Sequence, residues 1–91
     1  MHYILFYQLV DDYLEKRGEY RKEHLANAST LLEKGELVMA GAFANPADGA
    51  VFIFKSEDSC VANTFAKNDP YVKNGLIKSW EVREWTVAIG N

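Results

Sequence analysis

From His2 to Val10 the chain is aromatic, aliphatic and β-branched with only Gln8 breaking the run, a pattern that predicts a strand. Asp11-Asp12 follows as a cap, and Asp12 with Glu15 has capping-box spacing, so a helical stretch is expected from there to about Lys34. Within it Tyr20, His24, Ala28 and Leu31, with Leu25 and Leu32, recur at steps of three and four and mark one inward stripe. Gly18 is expected to divide the stretch into a short first turn and a longer helix from about Glu19, and Gly35 to close it in a left-handed conformation. Leu37 to Phe43 reads as a second strand and Ala50 to Lys55 as a third. Between them, Asn45-Pro46-Ala47-Asp48-Gly49 has turn chemistry, with Pro restricting one dihedral and Gly accepting a positive one. Ser56 is placed to cap a second helix running to about Asn68, with Val61, Ala62 and Phe65 inward. Asp69-Pro70 stops that helix, because the residue before a proline is driven out of the α region. A loop through Gly75 then leads to a last strand, Ile77 to about Ile89.

The order βαββαβ is that of an α+β ferredoxin-like fold: one four-stranded antiparallel sheet with two helices on one face. The strands do not alternate cleanly. Tyr3, Leu5, Tyr7 and Leu9 line one side of the first strand, and Ile4, Phe6 and Val10 line the other; in the third, Phe52 and Phe54 oppose Val51 and Ile53. Two helices cover one face, so the second apolar face calls for another layer, and a second copy of the chain packed sheet to sheet is its simplest source. A homodimer is therefore expected, against a monomer with half-exposed aromatics or an open face that binds something else.

With 91 residues there is room for a single domain, 1–91, and 48% of them are hydrophobic, a rich supply for so small a core. The net charge of −3 lacks the basic face that a phosphate backbone demands, which argues against nucleic acid as a partner. The same βαββαβ order builds RNA-recognition domains, but Asp48-Gly49-Ala50-Val51-Phe52-Ile53-Phe54-Lys55 lacks the leading basic residue and the stacking aromatics of their third strand. The single cysteine, Cys60, leaves no internal disulfide and reads as a small core residue. No basic leader and no run of membrane-spanning length is present in the sequence, so a cytoplasmic protein without a membrane partner is expected.

Candidate chemistry is concentrated in few residues. His24 lies on the inward stripe, with Arg21 three and Arg17 seven residues before it on one helix face. Asp69 sits at the far end of the second helix, held extended by Pro70. Both helices pack on the same sheet face in this topology, so His24 and Asp69 can meet. An aspartate on one ring nitrogen fixes the tautomer of an imidazole and aims the other nitrogen at a bound molecule; a nearby arginine suits an anion. On spacing alone, a structural pair that pins the helix end is the commoner arrangement. A metal site would need His24, Asp69 and a further carboxylate such as Glu23, without any ligand-pair motif. Tyr71, Trp80 and Trp85 are candidates to wall an aromatic-friendly pocket, core packing being the usual role of the tryptophans. No phosphate loop or dinucleotide fingerprint occurs, so no cofactor is implied.

Arg17, Arg21-Lys22-Glu23-His24-Leu25, Gly35-Glu36-Leu37, Gly41, Asp69-Pro70-Tyr71-Val72, Gly75-Leu76, Trp80-Glu81-Val82-Arg83 and Trp85 together resemble the YciI-like (YCII-related) pattern over nearly the whole chain. The resemblance implies a dimeric α/β barrel in which two ferredoxin-like sheets pack together. It also implies that His24 and Asp69 match the histidine and aspartate proposed as that family's active site. Relatives in the broader barrel group include muconolactone isomerases and small monooxygenases, and a YciI-like domain is known as a dehydrochlorinating enzyme. The expectation is a small cofactor-free enzyme of lyase or isomerase type, moving protons on a small anionic or aromatic metabolite. His24 and Asp69 would be catalytic, and Arg17, Arg21, Tyr71 and Trp80 would bind substrate. The alternative is a dimer that holds a small ligand or docks to another protein without turnover.

Overall fold

The structure is a computed structural model that describes residues 1–90. Its elements are β1 (His2–Leu9), α1 (Tyr13–Lys16), a 3-10 turn (Arg17–Glu19), α2 (Arg21–Glu33), β2 (Leu37–Ala42), β3 (Gly49–Lys55), α3 (Cys60–Asn68), α4 (Pro70–Lys73) and β4 (Ile77–Trp85). The strands form one antiparallel sheet in the order β2-β3-β1-β4, a ferredoxin-like α+β fold. Gly18 falls within the 3-10 turn that separates the two parts of the first helical stretch, and Gly35 takes a φ of +79° at its end.

Register decides which side chains meet the helices. Tyr3, Leu5 and Tyr7 of β1 stand opposite Phe54, Phe52 and Ala50 of β3, and Leu5 and Tyr7 stand opposite Val82 and Trp80 of β4. Because side chains alternate along a strand, this whole set projects to the helix side, where Leu5, Phe54, Ala62, Ala66 and Leu76 lose all contact with solvent. The other side carries Ile4, Phe6, Val51 and Ile53, with Met39 on the edge strand and Trp85 at the end of β4. That side has no covering layer among the described residues: Met39 is 61% exposed, Trp85 42% and Phe6 36%.

Several local expectations are corrected. Asp12 makes no side-chain cap; its carboxylate pairs instead with Lys16 one turn on, at 3.1 Å. The second helix starts at Cys60, not just after Ser56, because Asp58 accepts the Cys60 N–H while the Ser56 hydroxyl is turned to the Asp58 carbonyl. Cys60 itself is exposed, since the inward positions of α3 fall on Ala62, Phe65 and Ala66. In the β2–β3 connection the positive φ belongs to Asn45, at 53°, while Gly49 answers a close approach. A Cβ at Gly49 would lie 2.9 Å from the Phe43 ring and 3.3 Å from the Tyr7 carbonyl oxygen. Leu25 and Leu32 are about half exposed, because α2 lies over the sheet edge and turns only His24 fully inward. The supposed loop through Gly75 contains α4, and β4 ends at Trp85 rather than near Ile89 because Trp85 faces His2, the first residue of its only partner strand.

Leu5 is central in this core, on an inner strand and wholly enclosed. Leu5→Ala is expected to lower the unfolding free energy by about 2–5 kcal/mol. Urea denaturation checks this, and a loss of under about 1 kcal/mol would mean that the helix layer does not close over β1 as described.

Candidate active site

The only buried residue of α2 is a histidine, and its partner is a fully buried aspartate. The local sequence explains how Asp69 comes to be there. Pro70 forces Asp69 into an extended conformation (φ −69°, ψ 124°), which ends α3. Pro70 is also suited to the first position of a new helix, so α4 begins at once with Asp69 as its cap. The Asp69 carboxylate accepts the Tyr71 N–H at 3.1 Å through Oδ1.

Two further donors reach the same carboxylate from distant parts of the chain. His24 Nδ1 lies 2.8 Å from Oδ1, and the Tyr7 hydroxyl donates to Oδ2 at 2.6 Å. A carboxylate only accepts, so Nδ1 carries the hydrogen in this pair and the neutral imidazole is the Nδ1–H tautomer. Burial first, and then the adjacent Asp69 charge, push the Tyr7 phenol far above its usual range, so it stays protonated and keeps donating. The His24 ring lies flat on the Tyr71 ring, 3.9 Å between centroids and 9° between planes, with Phe52 and Phe65 edge-on to it. His24 Nε2 has no hydrogen-bond partner among the described residues.

His24 forms part of the wall of a cavity of about 230 Å³. Tyr7, Tyr13, Phe52 and Tyr71 give it aromatic walls, Arg17 and Arg21 line it from the α2 side, and Ala40, Ala42 and Ala50 keep its sheet side low. Of the residues singled out in the sequence, His24, Arg17, Arg21 and Tyr71 line this space, and Asp69 is buried behind His24. Trp80 does not line it. Trp80 sits on β4, on the far side of β1 from β2 and β3, and borders a separate hollow with Phe6, Gln8, Phe43 and Glu81. Trp85 is on the uncovered side of the sheet, beside His2. Glu23, the carboxylate that a metal reading would need, is exposed, and no group of three His, Cys, Asp or Glu side chains gathers among the described residues.

Tyr7 and Tyr13 are the site residues that sequence reading missed. Tyr7 was legible as an inward strand residue, but nothing in its spacing distinguishes a hydroxyl that reaches Asp69 from one that only fills the core. A larger groove of about 440 Å³ runs between α2 and α3, lined by Asn27, Thr30, Glu36, Cys60, Thr64 and Asn68. It has no basic residue in its wall, and the hydrogen bond and charge of Asp58 push the Cys60 thiol up, away from thiolate. The candidate acid/base and cationic side chains line the smaller cavity instead.

The model of the YCII-related domain matches residues 1–86 of the chain. The protein belongs to the YCII-related family. An uncharacterized protein of Haemophilus influenzae is 33% identical over 87 residues, spanning 84% of this YCII-related chain and 87% of the relative. Among solved structures, 5-chloro-2-hydroxyhydroquinone dehydrochlorinase from Burkholderia phenoliruptrix AC1100, in complex with 2,5-dihydroxybenzoquinone, is similar at a TM-score of 0.78, with 22% identity and 94% of each chain covered. A NIPSNAP family protein from Agrobacterium tumefaciens is similar at a TM-score of 0.56 and 16% identity, over 90% of this chain and 87% of that one. These two likenesses speak for the fold. No helix among the described residues of this YCII-related domain is long and apolar enough to cross a membrane.

Removing the shared acceptor should be costly, because three donors are left buried together. Asp69→Ala is expected to lower stability by about 3–5 kcal/mol, and Tyr7→Phe by about 1.5–3 kcal/mol. In a double-mutant cycle by urea denaturation the two losses should fall well short of adding. Additive losses would show that Tyr7 and Asp69 act independently.

Proposed function

We propose that this YCII-related domain is a small enzyme that works without a cofactor, as a homodimer, by acid/base proton transfer on a small anionic or aromatic metabolite. The reading is carried by one observation: His24 Nδ1 is tied to the buried Asp69 carboxylate at 2.8 Å, while Nε2 has no partner and the ring borders a cavity with two arginines. In the Nδ1–H tautomer, Nε2 is the basic nitrogen. It takes a proton from a ligand carbon, and Asp69 stabilises the resulting imidazolium at the opposite nitrogen; the proton is then returned to another carbon of the ligand, an isomerisation, or given to a leaving group as its bond to the ligand breaks and it departs with the electron pair, an elimination. Arg17 and Arg21 supply positive charge for an anionic substrate or a developing enolate. That sequence of steps is isomerase- or lyase-type chemistry. The structural likeness to a dehydrochlorinase whose named substrate is a hydroquinone supports the same class and an aromatic ligand.

The dimer is supported by the sheet. Phe6, Met39 and Trp85 are exposed apolar side chains on the side away from the helices, and a second copy can cover that side about a two-fold axis. Light scattering at micromolar concentration is expected to give twice the chain mass, and a monomer at that concentration would remove the dimer from the reading.

The catalytic part is tested with His24→Gln, whose amide can keep a hydrogen bond to Asp69 but cannot act as a base. Metabolites that raise the melting temperature of the wild-type protein serve as the trial substrates. Turnover of a ligand so found should fall by about 10²–10⁴-fold in the variant, with fold and dimer unchanged. Equal turnover in both proteins would exclude His24 as the base, and ligand binding without any turnover in wild type would make the domain a binding module.

A further inference from the structure

The His24–Asp69 pair leaves one buried polar atom unused. Tyr71 is 1% exposed, and its hydroxyl has no hydrogen-bond partner among the described residues. A buried hydroxyl left without a partner opposes folding, so its persistence in a cavity wall calls for a reason. Arg21 and Tyr13 stand close enough to act on it by charge and by partial hydrogen bonding, though neither reaches full hydrogen-bond geometry. Burial and the Tyr13 phenol push the Tyr71 phenol upward, and the Arg21 guanidinium pulls it down; burial dominates, so the hydroxyl keeps its hydrogen to donate.

The charge balance of the cavity points the same way. Neither Arg17 nor Arg21 forms an ion pair with a carboxylate among the described residues. Arg17 instead rests 5.7 Å from the centre of the Tyr13 ring. Asp69 is enclosed behind His24, with its oxygens already accepting from Tyr7, His24 and the Tyr71 backbone. The cavity is therefore lined by two cationic side chains, by Tyr71 with its enclosed and unpartnered hydroxyl, and by further aromatic rings over short alanines. At about 230 Å³ it is smaller than the pockets that hold drug-sized ligands, and suits a single small ring.

We infer that Tyr71 and Arg21 form an oxyanion subsite, which takes the ionised ring oxygen of a small cyclic enol or phenol. A single directed hydroxyl beside one guanidinium fits one ring oxygen better than a phosphate, which would require several donors. This rests on the acid/base reading of His24 and adds its substrate class. It also explains the flat contact between His24 and Tyr71. Asp69 Oδ1 receives both His24 Nδ1–H and the Tyr71 N–H, so one oxygen atom sets the position of the proton-transfer ring and of the anchoring ring. A ligand held by the Tyr71 hydroxyl is thereby placed in register with the imidazole.

The test is calorimetric binding of 2,5-dihydroxybenzoquinone, anionic at neutral pH, and of hydroquinone, similar in size but uncharged. The probes are applied to the intact wild-type protein and to Tyr71→Phe, Arg21→Gln and His24→Gln. Wild type should bind the anionic probe at least tenfold more tightly than the neutral one. Tyr71→Phe and Arg21→Gln should each weaken the anionic probe at least tenfold, and His24→Gln by less than threefold. Tyr71→Phe removes an unpartnered hydroxyl and preserves the ring, so its melting temperature should be equal to or above that of wild type; a clear fall would mean the hydroxyl is bonded internally and overturn the subsite. Equal affinity of wild type for both probes, or no binding of the anionic one, overturns it as well. Wild-type affinity in Tyr71→Phe with turnover lost in His24→Gln removes the subsite and leaves the acid/base reading standing. Lost affinity in Tyr71→Phe with full turnover in His24→Gln does the reverse.

Discussion

One carboxylate, that of Asp69, is shared by three donors: the imidazole of α2, the phenol of Tyr7 on β1 and the backbone N–H of Tyr71 at the start of α4. Taking a carboxylate out of water is expensive, and hydrogen bonds to both oxygens are what make complete burial tolerable. The bonds to Tyr7 and His24 span 62 and 45 residues of chain, so this cluster forms only when the sheet and helices have come together. The same geometry determines the chemistry. With Nδ1 committed to Asp69, the one nitrogen of His24 left for a ligand is Nε2.

The rest of the site is arranged around that commitment by side-chain size and charge. Ala40, Ala42 and Ala50 occupy helix-side positions on the β2–β3 edge where larger residues would fill the space, and Arg17 and Arg21 bring positive charge to it without carboxylate partners. α2 contributes little apolar burial of its own, so its position depends heavily on His24. Packing and the proposed chemistry therefore draw on the same residue, and substitutions at His24 have to be judged by both stability and activity. The opposite side of the sheet carries the exposed Phe6, Met39 and Trp85, none of which lines the cavity.

Much of this was legible in the sequence because the signals were strong and local. The βαββαβ order follows from strand-like runs such as 50–55 and from glycine and proline at the joints. The convergence of His24 and Asp69 follows from placing one on an inward helix stripe and the other before a proline on the neighbouring helix. What the sequence did not reveal depended on competition between nearby donors. Ser56 and Asp58 both offer caps for α3, and only the fold decides that Asp58 reaches the Cys60 N–H. Cys60 looked like a core residue by type, but its helical phase put it outside. Trp80 looked like a pocket wall by type, but sheet order places β4 on the wrong side of β1. Tyr7 went unnoticed because a hydroxyl at the end of a core ring carries no periodic signature; its role is a matter of where one oxygen atom ends.

The central claim is the tautomer that Asp69 imposes on His24. Long-range ¹⁵N–¹H correlation of the histidine rings, recorded at a pH where His24 is neutral, reads it directly. The expected result is a hydrogen on Nδ1, strongly protected from exchange, with Nε2 showing the shift of an unprotonated nitrogen. A hydrogen on Nε2, or an Nδ1–H that exchanges as freely as that of an exposed histidine, would contradict it.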